Sequence, residues 1–287
     1  MSLHAPFLLL LLAAMSSPSP ASELEVPPHL QHATKVFSIF DIDVYMSHFM
    51  VILLVFATVS SSDWSASGII FRIIVYGPLL FGTVLVHELG HALACRRQGG
   101  VCHHILLWPL GGLAYISHDA GPKADLWVAF AGPLTHVPMC LLWFFMLLIS
   151  TGGNASLFPV TNSYLVIFFA TATSINLALM IFNLLVPAHP LDGGRILVDI
   201  LLWAKLPLRQ TAIITVCVSV PLALVMCLHW TFMPFNVITI FVGLWIIFND
   251  VTVITALRDG VIDCHPMFAH LSPSDRATMQ NNPVGGV

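Results

Sequence analysis

The sequence predicts an all-α polytopic membrane protein with about six transmembrane helices and a short hairpin-like re-entrant piece between the second and third. Three observations carry this. The 287 residues are 57% hydrophobic and only 8% charged, with a mean hydropathy of +0.91. Soluble domains carry about a quarter charged residues, so this chain cannot cover a water-facing surface. Second, its apolar runs approach the roughly 20 residues that a helical span requires. Helices are expected because a lone strand cannot satisfy its backbone in lipid. Third, residues 99–121 break that pattern with Gly99-Gly100, Pro109, Gly111-Gly112 and Gly121-Pro122 between apolar residues, punctuation that no single helix tolerates.

Along the chain, the apolar run 7–14 is followed by Ser16-Ser17-Pro18-Ser19-Pro20. It resembles a signal peptide whose leader lacks Lys and Arg, so residues 1–43 read as a leader, targeting or flexible segment. Residues 44–257 form the membrane core, with spans at about 44–60, 68–95, 126–150, 164–186, 212–230 and 237–257. Residues 258–287 are polar, rich in Pro, Asn and Ser, and read as a flexible tail. The six cysteines form no C-x-x-C pair and most fall in or beside apolar segments, so they read as packed or unpaired thiols and no disulfide framework is expected. No basic block exists, which leaves nucleic-acid binding without support.

Orientation follows from the positive charges. Arg96, Arg97 and Lys123 lie between the second and third segments, Arg195, Lys205 and Arg209 between the fourth and fifth, and Arg258 after the sixth. Alternating spans put all seven on one side, predicted cytosolic. Arg72 and the glycosylation pattern Asn154-Ala155-Ser156 fall on the other. These charges outweigh the weak leader, whose cleavage would invert the spans. The pattern suits an endomembrane or organelle membrane, with the chemistry near the cytosolic side.

That chemistry resides in His87-Glu88-Leu89-Gly90-His91. On a helix, positions i and i+4 share a face, so two imidazoles can ligate one zinc ion. Glu88 beside them can take a proton from a water that the metal activates. Ionisable groups at membrane depth are costly and functional by default, and here three fall within five residues. Catalytic zinc needs a third protein ligand and an open position. Asp192 follows the fourth segment in Pro187-Ala188-His189-Pro190-Leu191-Asp192-Gly193-Gly194-Arg195, a run that breaks a helix. His189 is a rival ligand in the same run. Broken backbone at membrane depth occurs only where protein or a water-filled cavity surrounds it.

HELGH on an early span, with Asn183 through Pro187 and Pro190 to the Leu191-Asp192-Gly193-Gly194-Arg195 stretch at the end of a later one, resembles the site-2 proteases, the intramembrane zinc metalloproteases of peptidase family M50. Ala131-Gly132-Pro133 and Pro109-Leu110-Gly111-Gly112-Leu113 resemble two further stretches of that family, so the likeness covers about residues 45–257. It implies one Zn²⁺ per chain on His87, His91 and Asp192, Glu88 as general acid and base, and Asn183 as a group that positions substrate or steadies an oxyanion. The expected activity is hydrolysis of peptide bonds within or near transmembrane helices of membrane-protein substrates, in contact with the lipid bilayer. The alternative is an inactive relative serving as a membrane binding or regulatory protein. Two departures stand out. One extra residue separates Asn183 from Asp192, and His136 occupies a position where the family often has Asn; a packed histidine without a catalytic part is the expectation there. A zincin with a glutamate as third ligand is disfavoured, because Glu88 is the only glutamate after Glu25.

Overall fold

The computed structural model describes residues 30–59, 63–109, 111–228 and 237–280. The expected leader run at 7–14 lies outside them. The chain begins with two strands, β1 (Ala33–Ile39) and β2 (Ile42–Ser47), and a short helix, α1 (Phe49–Val59). Helix α2 (Ala66–Arg97) follows, then β3 (Val101–Trp108) and β4 (Gly111–Ser117). The rest is helical: α3 (Pro122–Ser150), α4 (Tyr164–Leu185), α5 (Asp192–Trp203), α6 (Leu208–Leu228), α7 (Val237–Arg258) and α8 (Pro273–Gln280), with tight turns at Ile262–Cys264 and Pro266–Phe268 before α8. Among the described residues, α2, α3, α4, α6 and most of α7 (five helices) are long and apolar enough to cross a membrane. Large apolar side chains such as Leu141, Phe145 and Val225 stay exposed on them, as lipid-facing surfaces require.

Local chemistry sets these boundaries. Ser65 caps α2 by accepting the Gly68 N–H at 3.0 Å. Pro78 sits inside α2 and removes a backbone donor. The helix widens into a five-residue turn at Val75–Leu79 and re-forms at Leu80. Arg96 and Arg97 occupy its last turn, where cations complement the exposed carbonyls. Pro122 then starts α3 at a position whose missing N–H costs nothing. Helix α4 ends at Leu185, and the backbone runs extended at Val186 and at Leu191 before α5 begins.

The strands form one sheet in the order β1-β2-β3-β4. The outer pairs are antiparallel, while β2 and β3 run parallel. Parallel neighbours need a long crossover, and here α1 and α2 provide it. Ile42, Val44, Ile105 and Leu107 of the sheet are buried against Val84, Leu89 and Ala92 of α2. Thus the sheet packs on the turns of α2 that carry and flank the HELGH run.

Three expectations change. The protein is mostly helical rather than all-α, because residues 33–47 and 101–117 pair into a sheet that α2 covers on one face. The segment expected to span at 44–60 divides: its first residues are strand β2, and α1 has 11 residues. The polar stretch after Arg258 folds back onto the protein. Met267, Phe268 and Leu271 are buried against Val198, Leu202, Leu208, Ala212 and Val253, and Arg276 donates to the carbonyls of Phe268 and Leu271 at 3.1 and 3.3 Å. Three apolar side chains among polar neighbours suffice to dock it. Phe268 is fully buried, so Phe268→Ala is expected to destabilise the folded protein by roughly 3–5 kcal/mol, read as a lowered unfolding midpoint in detergent.

Candidate metal centre

Within α2, His87 and His91 lie one turn apart and point to the same side, buried with Glu88 between them. The turned Val186–Leu191 stretch, in which the Ala188 and Leu191 N–H groups donate to the Val186 and Ala188 carbonyls at 2.8 and 2.9 Å, brings the first turn of α5, and with it Asp192, onto that side. The three donors converge. His87 Nε2 lies 3.0 Å from Asp192 Oδ2, and His91 Nε2 lies 3.2 Å from Asp192 Oδ1. The two Nε2 atoms are 3.0 Å apart.

The tautomers follow from the surrounding hydrogen bonds. Asn176 of α4 donates its amide N–H to the Ala172 carbonyl at 2.9 Å, which turns its Oδ1 toward His136 Nδ1 at 3.0 Å. That oxygen can only accept, so His136 carries its proton on Nδ1 and accepts at Nε2. His136 Nε2 is 3.0 Å from His87 Nδ1, which must therefore donate. His91 Nδ1 likewise donates to the Val128 carbonyl at 2.7 Å. Both imidazoles thus present an Nε2 lone pair to the same point, where Asp192 adds a carboxylate. Three lone-pair donors facing one another repel unless a cation sits among them. A tetrahedral zinc ion with bonds of about 2.0–2.1 Å holds its donors about 3.3 Å apart, close to the separations found, so the residues fit a zinc ion.

His136 is thus more than a packed histidine: it is fully buried and bonded to a candidate ligand. Sequence reasoning assigned it no part and did not single out Asn176. The available signals were a histidine in an apolar helix one turn beyond Gly132 and its place where the resembling family often has Asn. Gly132 itself is required by close approach, since a Cβ there would run into the His91 ring. Glu88 accepts the Ala114 N–H of β4 at 2.8 Å through Oε2, and a Cβ at Gly112 would collide with its side chain. Asn183 faces the same cavity, but its amide donates to Leu179 of its own helix at 3.0 Å. His189, the rival ligand, stands apart from the three donors and lines a second cavity. Burial lowers its pKa to about 3.

The site opens into a cavity of about 440 Å³ lined by His87, Glu88, His91, Asp192, β4 residues from Gly111 to Ala114, and apolar side chains of α4, α6 and α7. Arg195, one turn after Asp192, is bonded to Asp125 Oδ1 of α3 at 2.6 Å, which fixes α5 against α3.

Two imidazoles on neighbouring turns, a carboxylate from a broken-helix junction and an adjacent buried glutamate form the donor set expected of a membrane metallohydrolase. The sequence profile of peptidase family M50 matches residues 77–228. A zinc metalloprotease of Methanocaldococcus jannaschii is 30% identical over 256 residues, 89% of this chain and 68% of its own length. Stage IV sporulation protein FB of Bacillus subtilis is 32% identical over 130 residues, 44% of this chain and 40% of its own. A solved structure, the site-2 protease from Methanocaldococcus jannaschii, matches with a TM-score of 0.53 at 28% identity, over 77% of this chain and 94% of that one. The chain belongs to peptidase family M50, the zinc metalloproteases that include the site-2 proteases.

Outer partners of ligating histidines fix their orientation and basicity. Replacing His136 with Ala is expected to weaken zinc binding roughly 10–100-fold, measured by competition with a chromophoric chelator, and His136→Asn should recover part of the loss. An unchanged affinity in both variants would remove His136 from the centre.

Proposed function

We propose that His87, His91 and Asp192 hold the zinc ion, and that Glu88 serves as general base and then general acid in hydrolysing peptide bonds within or beside transmembrane helices. The observation that carries this reading is the convergence of three lone-pair donors within 3.0–3.2 Å in a cavity that also holds a buried carboxylate. Zinc bound there acidifies a water molecule toward pKa ~7 and polarises a carbonyl. Glu88 accepts the proton through the oxygen not engaged by Ala114 and returns it to the leaving amine. The His136–Asn176 chain keeps His87 in its ligating tautomer throughout. Asn183 lines the cavity within reach of a substrate backbone, and we assign it a positioning role secondary to the metal ligands.

An intact helix hides its carbonyls in i to i−4 bonds, so a substrate segment must unwind to reach the zinc. Strand β4 lies at the edge of the sheet and borders the cavity, and we assign it the role of holding the unwound segment in extended form through main-chain hydrogen bonds. Substrates on this reading are membrane proteins that enter from the bilayer. Residues 44–257 form the catalytic core.

We further infer six crossings. Helix α2 has 32 residues, about 48 Å at 1.5 Å per residue, so Ala66 lies on the far side of the membrane from the sheet. Strand β2 pairs with β3, which follows the other end of α2. The chain between Ser47 and Ala66 must therefore cross as well. This topology keeps Arg96, Arg97, Lys123, Arg195, Lys205, Arg209 and Arg258 on the sheet side, which the charge rule assigns to the cytosol. Asn154 falls on the opposite side, in keeping with an endomembrane or organelle location.

The test is cleavage of a single-span reporter by purified protein in lipid. Glu88→Gln should cut the rate by about 10²–10⁴-fold with zinc content unchanged; normal cleavage by this variant would end the protease assignment and favour a regulatory role. Separately, dialysis against a strong chelator should abolish cleavage and zinc readdition should restore it, and Asp192→Asn should lower zinc content as well as rate. If Asp192→Asn keeps full zinc, another side chain is the third ligand.

A further inference from the structure

A second cluster of ligand-type side chains lies beside the first and takes no part in the peptidase chemistry. It joins three distant pieces of the chain: Asp125 in the first turn of α3, Asp199 in the middle of α5, and His270 in the segment after α7. Suitable donor atoms of all three lie within 4.8 Å of one another, and the residues line a second cavity of about 380 Å³.

The two carboxylates differ in how they are satisfied. Asp125 Oδ1 accepts from Arg195 at 2.6 Å and from His118 Nε2 at 2.9 Å. Asp199 is fully buried, yet neither of its oxygens has a hydrogen-bond partner. His270 Nε2 is also buried without one, although it stands only 3.2 Å from Asp199 Oδ1. His270 Nδ1 lies 3.7 Å from Asp125 Oδ2, so each ring nitrogen faces one of the two carboxylates. A buried carboxylate without a donor is costly, and Arg195 is already committed to Asp125. Two anions and one arginine leave net negative charge at the point where His270 approaches.

We propose that Asp125, Asp199 and His270 form a second metal site that takes a divalent first-row transition ion. One imidazole nitrogen with two carboxylate oxygens suits Zn²⁺, Mn²⁺ or Fe²⁺ better than Ca²⁺ or Mg²⁺, which favour all-oxygen sets. His118 and Arg195 hold Asp125 from behind, as outer partners do for ligating carboxylates. The ion fastens the C-terminal segment to α3 and α5, adding to the Gly121 N–H that donates to the His270 carbonyl at 3.2 Å. Arg195 lines both cavities, so the second site braces the helix that delivers Asp192.

Metal content of the full-length protein in detergent, measured by mass spectrometry after dialysis against metal-free buffer, tests this. Wild type should hold about two equivalents per chain, because a preformed buried site retains its ion. His87→Gln/His91→Gln should keep one, and adding Asp199→Asn or His270→Gln to that variant should remove it. Asp199→Asn alone should keep the other equivalent, which also reports that it folds. The proposal falls if wild type holds a single equivalent, if His87→Gln/His91→Gln holds none, or if Asp199→Asn and His270→Gln both keep the wild-type content.

Discussion

Everything in this protein turns on delivering one carboxylate to a pair of imidazoles inside a membrane. The two histidines come from a single helix, where a one-turn spacing aligns them without further help. Asp192 comes from elsewhere and must be carried across the interior. Its helix starts after a non-helical, turned stretch, and Arg195 bonds it to Asp125 of α3 at 2.6 Å. Close packing of α3 on α2 requires Gly132 beneath the His91 ring. The broken junction, the ion pair and the missing side chain are thus parts of one solution. Each would be a defect in an ordinary helical bundle; together they hold three donors at the separations a small cation requires.

Polar groups in this interior are organised as chains that end on the backbone. His87 leads through His136 and Asn176 to the Ala172 carbonyl, and His91 leads to the Val128 carbonyl. Each chain fixes a proton on one ring nitrogen and clears the other for coordination. Buried polar networks are stable when every member is satisfied, and these two meet that condition. The groups around Asp199 do not, and this contrast distinguishes a completed site from one that calls for a further ion.

The three converging donors were legible because their signals are local or singular. A period of four on a helix places His87 and His91 together wherever the helix lies. Asp192 stood out as an acidic residue in a helix-breaking run. The sheet was less legible. Residues 33–47 are too few and too polar in β1 to read as a strand until β2 finds β3, a pairing set by tertiary contact rather than by propensity. Nor could the sequence join His136 to Asn176, or Asp125 to His270. Those pairs lie on different helices or far apart in the chain, and only helix packing determines which neighbours meet.

The parallel pairing of β2 with β3 has a consequence for how the enzyme comes into being. Its crossover connection contains α1 and the 32-residue α2, so the two strands cannot meet until both intervening helices have been made. The edge strand bordering the cavity, β4, pairs with β3 on the side away from β2. During synthesis the chain therefore carries its HELGH helix before the sheet that packs on it is complete, and α5 is made later still. The three converging donors therefore come together only after the chain has been made as far as α5, so the order of synthesis itself delays assembly of the centre.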